Sequence, residues 1–447
     1  MKSLRRDWND FLFSLRPASP LGVFRICFGL IIFAWCVLIA PDLKVWYSES
    51  GFFNLDAMRV WGMNNFGFDL LALHTWGENI FGRPILADVT DFRITIALFA
   101  LLMISAICVA IGYRTRIASI VLWALLSSFH HRCMVILNGG DTMQRDMAFL
   151  LMFSDAGAAL SVDRLIRIAR GQERADETPM MEMWPVRLMQ LQISAVYIST
   201  VLSKLEGIEW RDGTAFYFAM HMSDLMRFPL FGLQNKMWFY STATYLSVIT
   251  EFSVGTLIWV PRLRKYVITL GIMLHTGIEY AMVVPLFSFT MISSYVTFAS
   301  GSSIDTAAEW LHARLARFEI EIPADVRLPG RWAELLRALD SLCLVRKVES
   351  PMARVDADLV RRVLWRLPAT WAFAFGPALL ALVILPVWWL LVPLDVVWPI
   401  TMILVVPMLA RRIASGISAG QSGGGSAGEE RAQGEPASVG AGAAGSA

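Results

Sequence analysis

The sequence predicts an all-α fold: a polytopic integral membrane helical bundle of about ten spans, with a small helical cytoplasmic insert. Three observations predict it. Of the 447 residues, 56% are hydrophobic and only 17% charged, with a mean hydropathy of +0.53. A soluble chain of this length needs far more polar surface. Apolar runs close to the ~20 residues needed to cross a bilayer recur along the chain. Between those runs the arginines and lysines gather in alternate loops, the pattern of cytoplasmic loops. The net charge of +2 is uninformative, because charge is distributed by side of the membrane. Membrane lipid is an expected partner; nucleic acid is not.

The elements follow in order. The N-terminus, MKSLRRDWNDFLFSLRPASP, is basic and aromatic and leads into the first apolar stretch. No small-residue cleavage site follows that stretch, so it is read as a retained helix rather than a removed signal peptide. Spans are expected near 21–40, 93–112, 117–136, 186–203, 239–259, 266–283, 285–300, 369–391 and 395–410. A weaker one near 146–160 is short and interrupted by Asp155.

Charge decides that weak case. Lys2, Arg5, Arg6 and Arg16 place the N-terminus inside; Arg114 with Arg116, Arg164 to Arg174, Arg262 to Lys265, and Arg411 with Arg412 mark later loops. All fall on one side only if 146–160 crosses, which gives ten spans with both termini cytoplasmic.

The outward regions are then 41–92, 137–145, 204–238 and two short turns. The first, with WYSESGFFN, is expected to form short amphipathic helices on the membrane surface. Residues 301–368 are inward, and AAEWLHARLARFEI and RWAELLRALDSLCLV space their apolar residues as helices do. The expected organisation is a membrane domain over 1–300, the insert over 301–368, a transmembrane hairpin over 369–412 and a disordered Gly/Ala/Ser tail over 413–447. No repeat of fixed period is visible, nor the paired broken helices that transporter folds show. The five cysteines are scattered, without a C-x-x-C pair, and give neither a disulfide framework nor a zinc site.

Several ionisable or polar candidates stand out. In ISTVLSKLEGIEWRDG an apolar segment ends on Lys204, one of only six lysines in the chain. One reading is a snorkelling side chain whose ammonium reaches the lipid headgroups. The other is a desolvated amine able to take a proton from an acidic substrate, a task arginine cannot perform. Glu206, Glu209, Trp210, Arg211 and Asp212 crowd the next turn. His275 and Glu279, four apart in LHTGIEY, share a helical face; His275 is either a hydrogen-bonded structural histidine or a proton-handling one. The spacing lacks the second histidine of a zinc HExxH motif, so no metal is expected. Glu251 is a mid-span acid that must be protonated or paired, with His275 or an arginine as candidate partners. His130-His131-Arg132 closes the third span, and Asn138-Gly139-Gly140-Asp141 reads as turn geometry more readily than as a phosphate cradle.

Taken together, FRICFGL, WYSESGFF, NGGD, LMFSDAGAALSVDR, VYISTVLSKLEGIEWRDGTAFYF and LHTGIEYAMVVPLFSFTMISSYVTF resemble, in that order, the HTTM domain, the membrane module related to vitamin K-dependent gamma-glutamyl carboxylase. The resemblance covers about 18–300. In the carboxylase a matching lysine deprotonates a reduced quinone, so the resemblance implies that role for Lys204 and a reduced, vitamin K-like quinone as cofactor. Lys204, His275 and Glu251 are the expected catalytic residues, and Asp141, Trp210, Asp212 and Glu279 the expected substrate contacts.

Two departures limit the transfer. The position matching the carboxylase's further histidine is Gly140, and its large extracytoplasmic region has no counterpart. Two functions are therefore expected as alternatives. One is a carboxylase- or oxygenase-like enzyme acting on a lipophilic small molecule at the outer leaflet, with a cavity between spans 3, 5 and 7. The other is a non-enzymatic maturation or immunity factor for an exported peptide.

Overall fold

The computed structural model describes residues 2–54, 57, 92–229, 232–234, 236–315, 320–323 and 345–348. Two compact units divide the chain, Met1–Pro377 and Ala378–Ala447, and every described residue lies in the first. The expected spans at 369–391 and 395–410, the tail, and most of 41–92 fall outside the described residues.

The chain is mostly helical. The amphipathic helix α1 (Lys2–Phe13) lays Phe11 under the Arg187 guanidinium, 4.5 Å from the ring centre. Next, β1 (Leu15–Pro17) pairs antiparallel with β2 (Met180–Glu182), Leu15 opposite Glu182. Helix α2 (Ser19–Ile39) starts with Pro20, whose missing N–H costs nothing in a first helical turn. After α3 (Leu43–Tyr47) come α4 (Phe92–Ile111) and α5 (Thr115–Arg132). Phe28, Ile32, Leu102, Leu122, Leu126 and Phe129 from α2, α4 and α5 are fully buried together.

Asp163 caps α5: its carboxylate accepts from the Arg114 and Thr115 amides, both at 2.8 Å, and from the Thr115 hydroxyl at 2.7 Å. A negative charge at a helix N-terminus meets the positive end of the helix dipole. This gives FSDAGAALSVD a structural task. The following α7 (Val162–Ala169) is capped by Ser161. Between them α6 (Gly139–Met152) opens on a capping box, Asn138 accepting from Gly140 N and Asp141 accepting from Asn138 N.

The second half holds α8 (Trp184–Glu206), α9 (Ile208–Arg211), α10 (Ala215–His221), α11 (Met237–Leu257), α12 (Pro261–Ala281), α13 (Phe287–Ser294) and α14 (Gly301–Leu315). Polar side chains inside this apolar bundle bond across helices. Gln144 Nε2 donates to Thr290 Oγ1 (3.0 Å), Gln192 Nε2 to Asp146 (2.7 Å) and Gln190 Nε2 to the Thr297 carbonyl (2.7 Å), tying α6, α8 and the α13 region together.

Three expectations need correction, and one pairing was not expected. The weak fourth segment is helical earlier, over Gly139–Met152, and 153–160 forms turns, because the Asn138 cap rather than the apolar run sets the start. The eighth segment is an eight-residue helix followed by a 3-10 turn, Tyr295–Phe298. At 1.5 Å per residue that helix is ~12 Å long, too short to cross alone. Within the expected helical insert, α14 runs to Leu315, and β3 (Ile320–Pro323) and β4 (Val345–Val348) form a parallel pair, with Ile320 opposite Val345; residues 324–344, with most of RWAELLRALDSLCLV, lie outside the described residues. The β-branched residues at 320, 322, 345 and 348 suit a strand better than the helical spacing suggests. Finally, the pairing of β1 with β2 has no signal in the sequence reading.

Among the described residues, two helical stretches, Ser19–Tyr47 and Phe92–Ile111, are long and apolar enough to cross a membrane by length and composition. Helices α8, α11 and α12 match the second of these in length, and they carry polar residues of the site.

Candidate functional site

Helix α8 is followed directly by further helical chain. After Lys204 it breaks at Gly207, and the chain continues as α9 and α10 alongside α11. Tyr245 OH donates to the Arg211 carbonyl (3.0 Å), and the Phe216 amide donates to Thr244 Oγ1 (3.1 Å). Met220 reaches Tyr240 near the start of α11.

Lys204, in the last turn of α8, lies beside the second half of α11. Its ammonium donates to Glu251 Oε1 at 2.5 Å. Glu251 lies ~21 Å along the α11 axis from Met237, at 1.5 Å per residue. Helical Cα–Cβ bonds tilt toward the helix N-terminus, so the Lys204 stem starts back along α8 instead of outward. The Trp210 ring sits 4.4 Å from Nζ, a cation–π contact on the other side. Only 21% of the Lys204 side chain and 10% of the Glu251 side chain are exposed. The ammonium is engaged within the protein, by Glu251 and by the Trp210 ring. Glu251's partner is Lys204, not His275 or an arginine as the sequence reading expects. Glu251 Oε2 is buried and has no hydrogen-bond partner among the described residues.

Two turns along the same face of α8, Tyr197 continues the polar path. Its hydroxyl bonds His275 Nε2 at 2.6 Å and the Tyr295 hydroxyl at 2.5 Å. Tyr197 and Tyr295 lie within electrostatic reach of Glu251, and His275 within reach of Lys204, so the five residues form one cluster. His275 is 2% exposed, its ring meets Phe287 edge-on at 5.3 Å, and Nδ1 has no partner among the described residues. A neutral imidazole offers one donor and one acceptor, so the hydroxyls and Nε2 can order as a single chain in either direction.

Glycines permit this approach. A Cβ on Gly255 of α11 would stand 3.3 Å from Tyr197 Cβ, and one on Gly271 of α12 would stand 2.5 Å from the Tyr295 hydroxyl.

The other expected residues are placed apart or given structural tasks. Glu279, one turn beyond His275, accepts from Arg227 at 2.8 Å. Asp212 closes a turn, accepting from the Thr214 amide (3.0 Å) and hydroxyl (2.6 Å). Glu206 and Glu209 are exposed. Asp141 belongs to the α6 cap, where buried His130 meets Trp35 at 4.9 Å and Tyr47 lies within electrostatic reach of Asp141. The site is therefore built from the fifth to eighth expected segments, and the third, which carries His130, contributes instead to this second buried polar cluster. The sequence reading missed Tyr197 and Tyr295. Tyr197 and Lys204, seven apart on one helix, share a face, and that spacing was the available signal.

A family model described as the HTTM domain matches residues 13–302. The chain belongs to the HTTM family. Its apolar helices and this membership make it a membrane protein. It is similar to the sporulation-delaying protein SdpB of Bacillus subtilis (strain 168), 22% identical over 232 residues, which cover 49% of this chain and 69% of SdpB. It is also similar to the uncharacterized protein YitO of the same organism, 20% identical over 214 residues, covering 46% of this chain and 67% of YitO. No solved structure matches.

Proposed function

We propose that this HTTM protein is a multi-pass membrane enzyme whose Lys204–Glu251 pair accepts a proton from a reduced quinone or another lipophilic compound at the outer leaflet. About ten spans with both termini cytoplasmic fit the arginine distribution. One observation carries the reading: a lysine–carboxylate pair, largely buried, sits at a helix break beside a tyrosine–tyrosine–histidine chain. An ion pair that only anchored two helices would need neither the open carboxylate oxygen nor the second hydroxyl. Ionisable groups are rare in an apolar layer and are usually retained there for function. Water exclusion around the pair would strengthen its field on any charge formed beside it.

The test is quinol-dependent oxygen uptake by the purified protein in detergent, with menadiol as the probe. Lys204→Gln/Glu251→Gln, which removes both charges together, should stay folded and lose the uptake. Undiminished uptake by a folded double variant would falsify the reading.

A second reading follows from the similarity to SdpB, named for delaying sporulation: a non-enzymatic maturation or immunity partner of an exported peptide. Native mass spectrometry separates the two. A bound isoprenoid quinone supports the enzyme, whereas a peptide mass with no quinone supports the partner.

A further inference from the structure

We infer that the ligand at the Lys204 site is an uncharged lipophile presenting a hydroxyl donor, and that Glu251, not Lys204, takes its proton. This rests on the proton-accepting reading above and deepens it. Lys204 and Glu251 carry one positive and one negative charge in contact. The lysine ammonium has donors and no acceptor. One donor is spent on Glu251 Oε1, and the ammonium lies over the Trp210 ring. The acceptor left open is Glu251 Oε2, buried and without a partner among the described residues. A buried acceptor of this kind is costly until a donor reaches it.

Charge selects the ligand further. A ligand carboxylate would compete with Glu251 for the same ammonium and place two like charges together away from water. A neutral hydroxyl meets no such repulsion. In the transfer the ligand O–H bond breaks and an Oε2–H bond forms. The electron pair of the broken bond stays on the ligand oxygen, which becomes an oxyanion, while Glu251 becomes neutral. Lys204 keeps its protons throughout and faces the new anion. The total charge of site and ligand is unchanged, which suits a poorly solvated position.

The test uses the purified full chain in detergent under anaerobic conditions, with menadiol, menadiol dimethyl ether and naphthoate as probes. Binding is read from tryptophan fluorescence, with Trp210→Phe identifying the local signal. Menadiol should bind about tenfold or more tightly than either other probe, the worth of one hydrogen bond to a charged group. Infrared difference spectra should show a protonated carboxyl with menadiol that disappears in Glu251→Gln. Where that variant does not fold, Lys204→Gln/Glu251→Gln supplies the comparison. Equal binding of menadiol and its ether, or persistence of the carboxyl band without Glu251, overturns the inference while leaving a lipophile site in place. No binding of any probe overturns the proton-accepting reading and the inference with it.

Discussion

Gly271 of α12 backs directly onto the hydroxyl of Tyr295: a Cβ at this glycine would lie 2.5 Å from the oxygen and 2.9 Å from Cζ. Gly271→Ala should therefore force the Tyr295 ring off its bond to Tyr197. Overpacking of this kind costs about 1–3 kcal/mol. Adding Tyr295→Phe removes the most crowded atom, so the double variant should recover part of the loss. A thermal unfolding series gives the comparison, and strictly additive losses would contradict the contact.

Tyr197 and Tyr295 should respond unequally to loss of a hydroxyl. Tyr197→Phe deprives both His275 Nε2 and the Tyr295 hydroxyl of their partner, whereas Tyr295→Phe leaves Tyr197 bonded to His275. Each buried polar atom stranded costs about 1–3 kcal/mol. Tyr197→Phe should thus be the more destabilising by about that amount, as read by thermal unfolding in one detergent. Equal losses would mean that the two hydroxyls do not share the chain described.

Much of the helical skeleton was legible because apolar runs and arginine-rich loops are local signals. Helices α2, α4, α5, α8, α11 and α12 fall where those runs place them. What escaped is nonlocal or set by single residues. Nothing near Leu15 announces a strand partner at Glu182, 167 residues away by subtraction. The break after Lys204 falls at Gly207, in a stretch that also reads as the ordinary end of a span. Lys204 and Glu251 are each costly in lipid, but their pairing follows only from where α8 crosses α11. Tyr197 was invisible for a different reason: a tyrosine in an apolar run is more often packing than chemistry, and only its spacing from Lys204 distinguishes it.

The Lys204–Glu251 pair should show strong coupling in a double-mutant cycle. Removing one partner of a buried pair costs about 3–5 kcal/mol, because the other charge is left unpaired in an apolar setting. Lys204 keeps a fifth of its side-chain exposure, so Glu251→Gln should fall toward the lower end of that range. Lys204→Gln combined with Glu251→Gln should be less damaging than the sum of the single changes. Unfolding measured across the four proteins checks this, and additivity would mean that the pair is not formed in the membrane.

Arg227 and Glu279 should differ in the same manner, since their contact fixes a segment to the end of α12. Backbone bonds hold that segment as well: the Arg227 amide donates to the Ala281 carbonyl (2.9 Å) and the Val283 amide to the Leu225 carbonyl (2.7 Å). Glu279→Gln keeps an acceptor for the guanidinium and leaves both backbone bonds intact. Arg227→Ala leaves the Glu279 carboxylate with neither oxygen partnered in a side chain only 13% exposed. The arginine change should therefore cost about 3 kcal/mol or more, and the glutamine change about 1 kcal/mol. Hydrogen exchange at the Arg227 and Val283 amides reports the segment directly. Exchange should accelerate clearly in Arg227→Ala and only slightly in Glu279→Gln; the reverse order would show that the backbone bonds, rather than the ion pair, decide whether the segment stays down.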